Sequence, residues 1–377
     1  MTEVSVPDIR IPSDLLPSDG RFCSGPSKVR QEQADAVAAA GRTLMGTSHR
    51  QAPVRDLVGR VRSGLSTLFD LPDGYEVLLG NGGTTVFWDA ATFGLVEQQS
   101  QHLSFGEFSS KFATAVSAAP HLEEPEVIEA PVGRAAHAVG RAGIDLYALT
   151  HNETSTGVAA PVVRPVGGDP GAIVAVDATS AAGGMAVDPN EFDCYYFAPQ
   201  KCFGADGGLW LALCSPHAVR RIERIGASGR WVPQSLDLSV ALANSRQNQT
   251  LNTPAVATLI LLAEQVDWIL ANGGMAFTTG RCEKSASVLY GWAESSGYAT
   301  PFVVDPAERS PVVGTVDIDG VDAAAISNVL RAHGVLDTDS YRKLGRNQLR
   351  IGMFPSVEPD DVAALCACID HIVEALS

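Results

Sequence analysis

Two apolar patterns alternate along this chain. Runs of four or five residues, too short for helices and bounded by turn residues, read as buried strands. They are Glu76-Val77-Leu78-Leu79, His102-Leu103-Ser104-Phe105, Leu146-Tyr147-Ala148-Leu149, Ala172-Ile173-Val174-Ala175-Val176 and Cys194-Tyr195-Tyr196-Phe197-Ala198. Helical patterns stand between them. One follows the glycine-rich turn Gly80-Asn81-Gly82-Gly83-Thr84-Thr85 and runs through Phe87 and Trp88. Another runs from Ala255 to about Leu270, with Thr253 in the cap position and Pro254 in the first helical position. Strands alternating with helices predict an α/β fold, a mostly parallel sheet with helices on both faces. The Ala/Gly/Arg-rich stretch from Gly133 to Gly143 reads as a surface loop. After Asn272-Gly273-Gly274 the pattern changes to strand 312–318, helix 322–332, strand 348–354 and helix 359–376. The expected organisation is an arm over residues 1–20, a large α/β domain over 21–270 and a small α+β domain over 271–377.

Composition narrows the partners. A chain of 377 residues suits two domains, and 45% hydrophobic with 19% charged residues suits a globular enzyme. The net charge of −16 argues against nucleic acid as a partner, since there is no basic excess to displace counterions. Any anion site must therefore be built locally from a few cations and backbone amides. Seven scattered cysteines without a C-x-x-C pair fit reduced thiols in the cytoplasm and no metal site. The N-terminus has no signal-peptide pattern, and the apolar runs fall short of a membrane span.

The candidate chemistry lies at strand ends. Asp177 closes one apolar run, and Pro199-Gln200-Lys201 follows the next. A carboxylate and an amine at the ligand-binding edge of an α/β sheet suit pyridoxal phosphate. The lysine forms a Schiff base with the cofactor aldehyde, and the aspartate keeps a proton on the ring nitrogen. The plainer alternative is a turn-capping Asp and a solvated Lys. Gly82-Gly83-Thr84-Thr85 is either a phosphate cradle at a helix N-terminus or a plain turn. Phe108 is either a platform for a planar ring or packed core. Thr154 offers a hydroxyl to a phenolate oxygen, or caps a turn. Gly46-Thr47-Ser48-His49-Arg50 ends in two potential cations, and Asn252-Thr253 precedes a helix N-terminus. Tyr341-Arg342-Lys343-Leu344-Gly345-Arg346 and Arg350 concentrate four cations in nine residues. Arg350 sits among apolar residues on a predicted strand, where it needs an anionic partner, either a structural carboxylate or a substrate.

Taken in order, these motifs resemble the phosphoserine aminotransferases, class V enzymes of fold-type I that use pyridoxal phosphate. The resemblance rests on Ser48-His49-Arg50, Asn152-Glu153-Thr154, Asp177 with Ser180, Gln200-Lys201, Asn252-Thr253-Pro254 and the Arg342/Arg350 pair, and it spans about residue 20 to the end. It is nearest the actinobacterial branch, judged by Phe22-Cys23-Ser24-Gly25-Pro26-Ser27-Lys28 and Gly345-Arg346-Asn347-Gln348-Leu349-Arg350.

The resemblance implies ping-pong transamination in serine biosynthesis, with pyridoxine biosynthesis as an associated role. Glutamate gives its amino group and leaves as 2-oxoglutarate; 3-phosphohydroxypyruvate takes it and leaves as O-phosphoserine. Lys201 and Asp177 would be catalytic. Phe108 would stack on the cofactor ring and Thr154 would bond its phenolate. Ser180, Gln200 and Thr84 with its neighbour Thr85 would hold the cofactor phosphate, joined by Asn252 and Thr253 from the second subunit of a homodimer. Arg350 would grip the α-carboxylate. His49 and Arg50 of the partner subunit, with Arg342, would bind the substrate phosphate. Two departures stand out: Thr85 where many relatives carry Arg, and Tyr341-Arg342 where many carry His-Arg. The alternatives are another class V aminotransferase, of serine–pyruvate or alanine–glyoxylate type, and a non-catalytic binding protein on the same fold. A cysteine desulfurase lacks its loop cysteine here, and a dinucleotide enzyme lacks its glycine fingerprint.

Overall fold

The computed structural model describes residues 8–376. Two helices, α1 (Gln31–Ala40) and α2 (Ala52–Leu68), precede the main sheet. Its first strands are β1 (Glu76–Asn81), β2 (Ser100–Ser104), β3 (Glu126–Glu129) and β4 (Leu146–Thr150), with α3 (Thr84–Gly94) and α4 (Ser109–Ser117) between them. A small hairpin, β5 (Asn152–Glu153) and β6 (Val158–Ala159), leads to β7 (Ile173–Asp177), β8 (Cys194–Phe197) and β9 (Leu209–Cys214). The seven strands lie in the order β1-β9-β8-β7-β4-β2-β3. Only β9 runs antiparallel to its neighbours, so the sheet is mostly parallel as the alternation of elements predicts. β9 and β3 are additions to the strands read from sequence.

The strands are apolar throughout because both faces are covered. Side chains alternate between two cores. Leu146, Ala148, Ile173 and Ala175 face α3, α4, α5 (Pro216–Gly226) and α6 (Leu238–Ser245). Tyr147, Leu149, Val174 and Val176 face α2 and α7 (Val256–Ala271). The same period of two continues to the last residue of β7. Asp177 therefore points to the α3 side, with Ile173 and Ala175.

A second body follows. It consists of α8 (Met275–Ser295), an antiparallel sheet of β10 (Ala299–Pro301), β11 (Val313–Ile318) and β12 (Gln348–Gly352), and helices α9 (Ala323–Ala332) and α10 (Pro359–Leu376). Its core joins Leu289, Val316, Ile326, Leu349, Ile351 and Ile369. α8 belongs to both bodies, since Cys282 packs in the large core and Leu289 in the small one.

Of the expected arm, residues 1–7 lie outside the described residues. Beyond them Ile11 is buried in the second core, as is Phe22. Ser18 donates from its amide and its hydroxyl to Asp361 Oδ1 at 2.8 and 2.6 Å. The start of α7 also departs from expectation. It begins at Val256 with Ala255 in the cap position, and the Thr253 side chain bonds His49 instead of capping the helix. No single helix among the described residues is long and apolar enough to cross a membrane.

Candidate active site

Parallel strands end together along one edge of a sheet, so their following loops converge there. The cavity at this edge has a volume of about 370 Å³. It brings together Thr84 and Thr85 after β1, Phe108 after β2, Thr154 after β4, Asp177 and Ser180 at β7, and Gln200 and Lys201 after β8. The helix α3 opens at Thr84 with Gly83 as its cap. Its first-turn amides face the cavity with no intrahelical acceptor, which makes them anion donors.

Asp177 is held by donors that sequence reasoning passed over. Thr179 donates to Oδ1 from its amide at 3.0 Å and from its hydroxyl at 2.6 Å. The indole of Trp88 donates to Oδ2 at 3.1 Å. Trp88 lies four residues along α3 from Thr84, on the same helix face. The Thr84 and Thr179 hydroxyls are 2.7 Å apart. With the Thr179 proton given to Asp177, Thr84 must be the donor in that pair. Its hydroxyl proton is thus engaged, leaving its amide for an anion. Burial outweighs these donors and raises the Asp177 carboxyl to about 6.

Lys201 is half-buried in the wall of the same cavity. Its Nζ donates to Ser24 O at 2.6 Å and lies 6.0 Å from the centre of the Phe108 ring. Burial first, and the positive charge of Arg350 second, lower its amine to about 8. The loop that covers it needs glycine. A Cβ on Gly25, whose φ is +132°, would stand 2.0 Å from Nζ.

Glu153 shapes the Phe108 platform. Its carboxylate is wholly buried. Oε2 accepts the amides of Phe108 and Ser109 at 3.0 and 2.7 Å, at the N-terminus of α4. Oε1 accepts the amide and hydroxyl of Ser155 at 3.0 and 2.7 Å. Gly106 lets the carboxylate in, because a Cβ there would lie 2.3 Å from Glu153 Cγ. The neighbouring Asn152 and Thr154 side chains both donate to Ser180 Oγ, at 2.8 and 2.9 Å. Ser180 in turn donates to Asn152 O at 3.1 Å, so its hydroxyl proton is occupied within this network.

A second cavity of about 600 Å³ contains Arg342 and Arg350. The four cations near β12 differ in what they hold. Lys343 pairs with Glu107, and Arg346 pairs with Asp317. Arg342 and Arg350 form no ion pair among the described residues. Arg350 Nη1 donates to Thr154 O at 3.3 Å, and its guanidinium lies 5.2 Å from the centre of the Tyr341 ring. Its Nε is buried with no partner. Tyr341 also meets Phe108, with ring centres 5.9 Å apart.

His49, Arg50, Asn252 and Thr253 do not line the cofactor-sized cavity of this chain. They cluster elsewhere. His49 Nδ1 and Thr253 Oγ1 are 3.1 Å apart, and Arg50 donates to Gln249 at 3.2 Å. Asn81 donates to Thr253 O at 3.0 Å, and Asn252 lines a separate cleft beside it.

These residues fit pyridoxal phosphate. A buried carboxylate suits a protonated ring nitrogen, and a buried amine with its proton loosened suits the aldehyde. Helix amides suit the phosphate, and an aromatic face suits the ring. Asn152 Oδ1 and Gln200 Oε1 are buried here without protein partners, as polar atoms left for a ligand are.

Residues 121–337 match the family described as Aminotransferase class-V. A relative from Mycolicibacterium vanbaalenii named putative phosphoserine aminotransferase is 62% identical, over 98% of this chain and 99% of its own. The chain belongs to the phosphoserine aminotransferase family. A Nocardioides phosphoserine aminotransferase is 60% identical, over 98% of this chain and 99% of its own. Among solved structures, a phosphoserine aminotransferase from Cytophaga hutchinsonii superposes with a TM-score of 0.86 at 24% identity, over 93% of this chain and 99% of that one. A PLP-bound phosphoserine aminotransferase from Trichomonas vaginalis gives 0.80 at 19% identity, over 93% and 99%. At those identities the likeness concerns the fold, which is fold-type I. Membership of the family makes pyridoxal phosphate the cofactor.

Proposed function

We propose that this phosphoserine aminotransferase family member moves an amino group from L-glutamate to 3-phosphohydroxypyruvate, yielding 2-oxoglutarate and O-phospho-L-serine for serine biosynthesis. The observation that carries the reading is Arg350, a half-buried guanidinium that has no carboxylate partner among the described residues and a buried, unbonded Nε, in a chain of net charge −16. A buried cation without an anion waits for one, and every substrate of this reaction has an α-carboxylate.

When bound, pyridoxal phosphate supplies the electron withdrawal that loosens the substrate Cα proton. The chain supplies the rest. Asp177, fixed by Thr179 and Trp88, holds a proton on the ring nitrogen. Phe108 keeps the ring flat against the site. The Thr84 and Thr85 amides, with the Gln200 side chain, hold the cofactor phosphate by hydrogen bonds. Lys201, with Nζ near neutrality, takes the proton from Cα and returns it on the other side of the exchange. Arg350 orients the α-carboxylate so that Cα lies within reach of Nζ.

Arg342 is the cation for the substrate phosphate, and for the side-chain carboxylate of glutamate. His49, Arg50, Asn252 and Thr253 serve the cavity of a partner subunit in a homodimer. Their clustering away from this chain's own cavity supports that reading, as does the buried, unpartnered His49 Nε2. The free state of all seven cysteines supports a cytoplasmic setting.

The test is Arg342→Ala in a steady-state assay. Loss of one charge-assisted contact predicts a fall of about ten- to a hundredfold in kcat/KM for 3-phosphohydroxypyruvate. An unchanged value contradicts the assignment of the phosphate site.

A further inference from the structure

Six of the seven cysteines are buried, while Cys23 is only half-buried and lines the Arg342/Arg350 cavity. The backbone fixes it there. Gly352 donates its amide to Phe22 O at 2.8 Å, so the Cys23 segment runs along β12. The next residue, Ser24, accepts Lys201 Nζ. Cys23 thus stands between the strand that carries Arg350 and the tip of the lysine, and it interacts electrostatically with both.

Two further groups line this cavity with unmet bonding capacity. The Ser24 hydroxyl, on a residue 3% exposed, has no partner among the described residues. Neither has Gln348 Oε1, on a residue 1% exposed. Gln348 Nε2 donates to Asp317 Oδ1 at 3.0 Å, which identifies the unpartnered end as the acceptor. A cation, a hydroxyl and an acceptor, all unsatisfied, describe a seat for a small polar ligand with a carboxylate. A thiol in its wall can bond such a ligand covalently.

We propose that Cys23 is a covalent modification site that takes thiol-directed electrophiles bearing a carboxylate. The proposal rests on Arg350 being the carboxylate grip. With a 2-haloacetate the thiol proton passes to solvent, and Sγ attacks the carbon that bears the halogen. The S–C bond forms, the C–halogen bond breaks, and halide leaves with the electron pair. Arg350, which has no ion pair among the described residues, holds the carboxylate beside the thiol.

The holoenzyme is treated with iodoacetate or with neutral iodoacetamide, and adducts are mapped by peptide mass spectrometry. The expected result is one adduct per chain, at Cys23, forming about tenfold faster with iodoacetate, as one charge-assisted contact warrants. L-Glutamate should slow it, and Cys23→Ser should abolish it. Where that variant does not fold, the wild-type map decides. Faster labelling by iodoacetamide, or adducts spread over the other cysteines, overturns the proposal. The functional reading fails separately. Carboxylate-dependent labelling at Cys23 that L-phosphoserine leaves untouched keeps the thiol site and removes the phosphoserine assignment. Equal labelling by both reagents in an enzyme that turns over phosphoserine does the reverse.

Discussion

The indole N–H of Trp88 donates to Asp177 Oδ2 at 3.1 Å, from a residue 89 positions away. Helix α3 thereby does two tasks with one face. Its first turn presents amides at the proposed phosphate site, and its second turn steadies the carboxylate proposed to serve the ring nitrogen. Trp88→Phe keeps the packing and removes the donor. Hydrogen bonds to charged groups contribute about 1.5–3 kcal/mol, so the variant should bind pyridoxal phosphate at least tenfold more weakly. Equilibrium dialysis of the cofactor measures this, and an unchanged dissociation constant contradicts the role.

The α3 side of Asp177 could be derived from strand periodicity, because Ile173, Ala175 and Asp177 share one face of β7. The Asp177-Ala178-Thr179 turn was also legible, since an Asp at a strand end commonly accepts the amide two residues on. Trp88 was not legible as a partner, because an apolar helix face offers many aromatic positions and only the crossover geometry of β1 and β7 selects one. Glu153 stood within a recognised motif without a role. Its acceptors serve backbone amides near residue 108, and backbone donors leave no trace in side-chain identity. The Lys343 and Arg346 pairings were equally hidden, since they depend on Glu107 and Asp317 being brought in from distant elements. Those pairings leave Arg342, which the resemblance had already singled out, without an ion pair among the described residues.

Stability of the apoprotein should carry the signature of Asp177. Its folded-state value is about 6, against an ordinary 3.8. Between those values the folded protein holds a proton that the unfolded chain releases. Stability therefore falls as pH rises from about 4 to about 6, by on the order of 3 kcal/mol. Urea unfolding of the wild type minus that of Asp177→Asn isolates this component. A difference that stays flat with pH contradicts the buried, raised carboxyl. Cofactor binding supplies the missing cation, so the holoenzyme should gain most over the apoprotein above pH 6.

The Lys201 amine titrates near 8, and Arg350 contributes to that lowering. Only the neutral amine attacks an aldehyde, so reconstitution of apoprotein with pyridoxal phosphate should accelerate as pH rises toward about 8. Arg350→Gln removes a like charge and should move that profile to higher pH. Stopped-flow reconstitution across pH reads the shift. A profile that stays in place would show that burial alone sets the amine.

Glu153→Gln puts an amide N–H where the carboxylate accepted four donors. The Phe108 turn then loses part of its anchoring. Unsatisfied buried donors cost about 1–3 kcal/mol, which should appear as a lower urea midpoint together with weaker cofactor binding. A variant that loses stability yet binds cofactor normally would make Glu153 a purely structural residue.

The most direct measurement is the visible spectrum of the purified protein, titrated with L-phosphoserine and in parallel with L-alanine. The account predicts a yellow band of bound pyridoxal phosphate that phosphoserine bleaches and alanine leaves in place, because Arg342 and its partners reward a phosphate and nothing in the cavity rewards a methyl group. Equal bleaching by alanine would contradict the phosphate site, and the absence of any band after pyridoxal phosphate is supplied would contradict the assignment of Lys201.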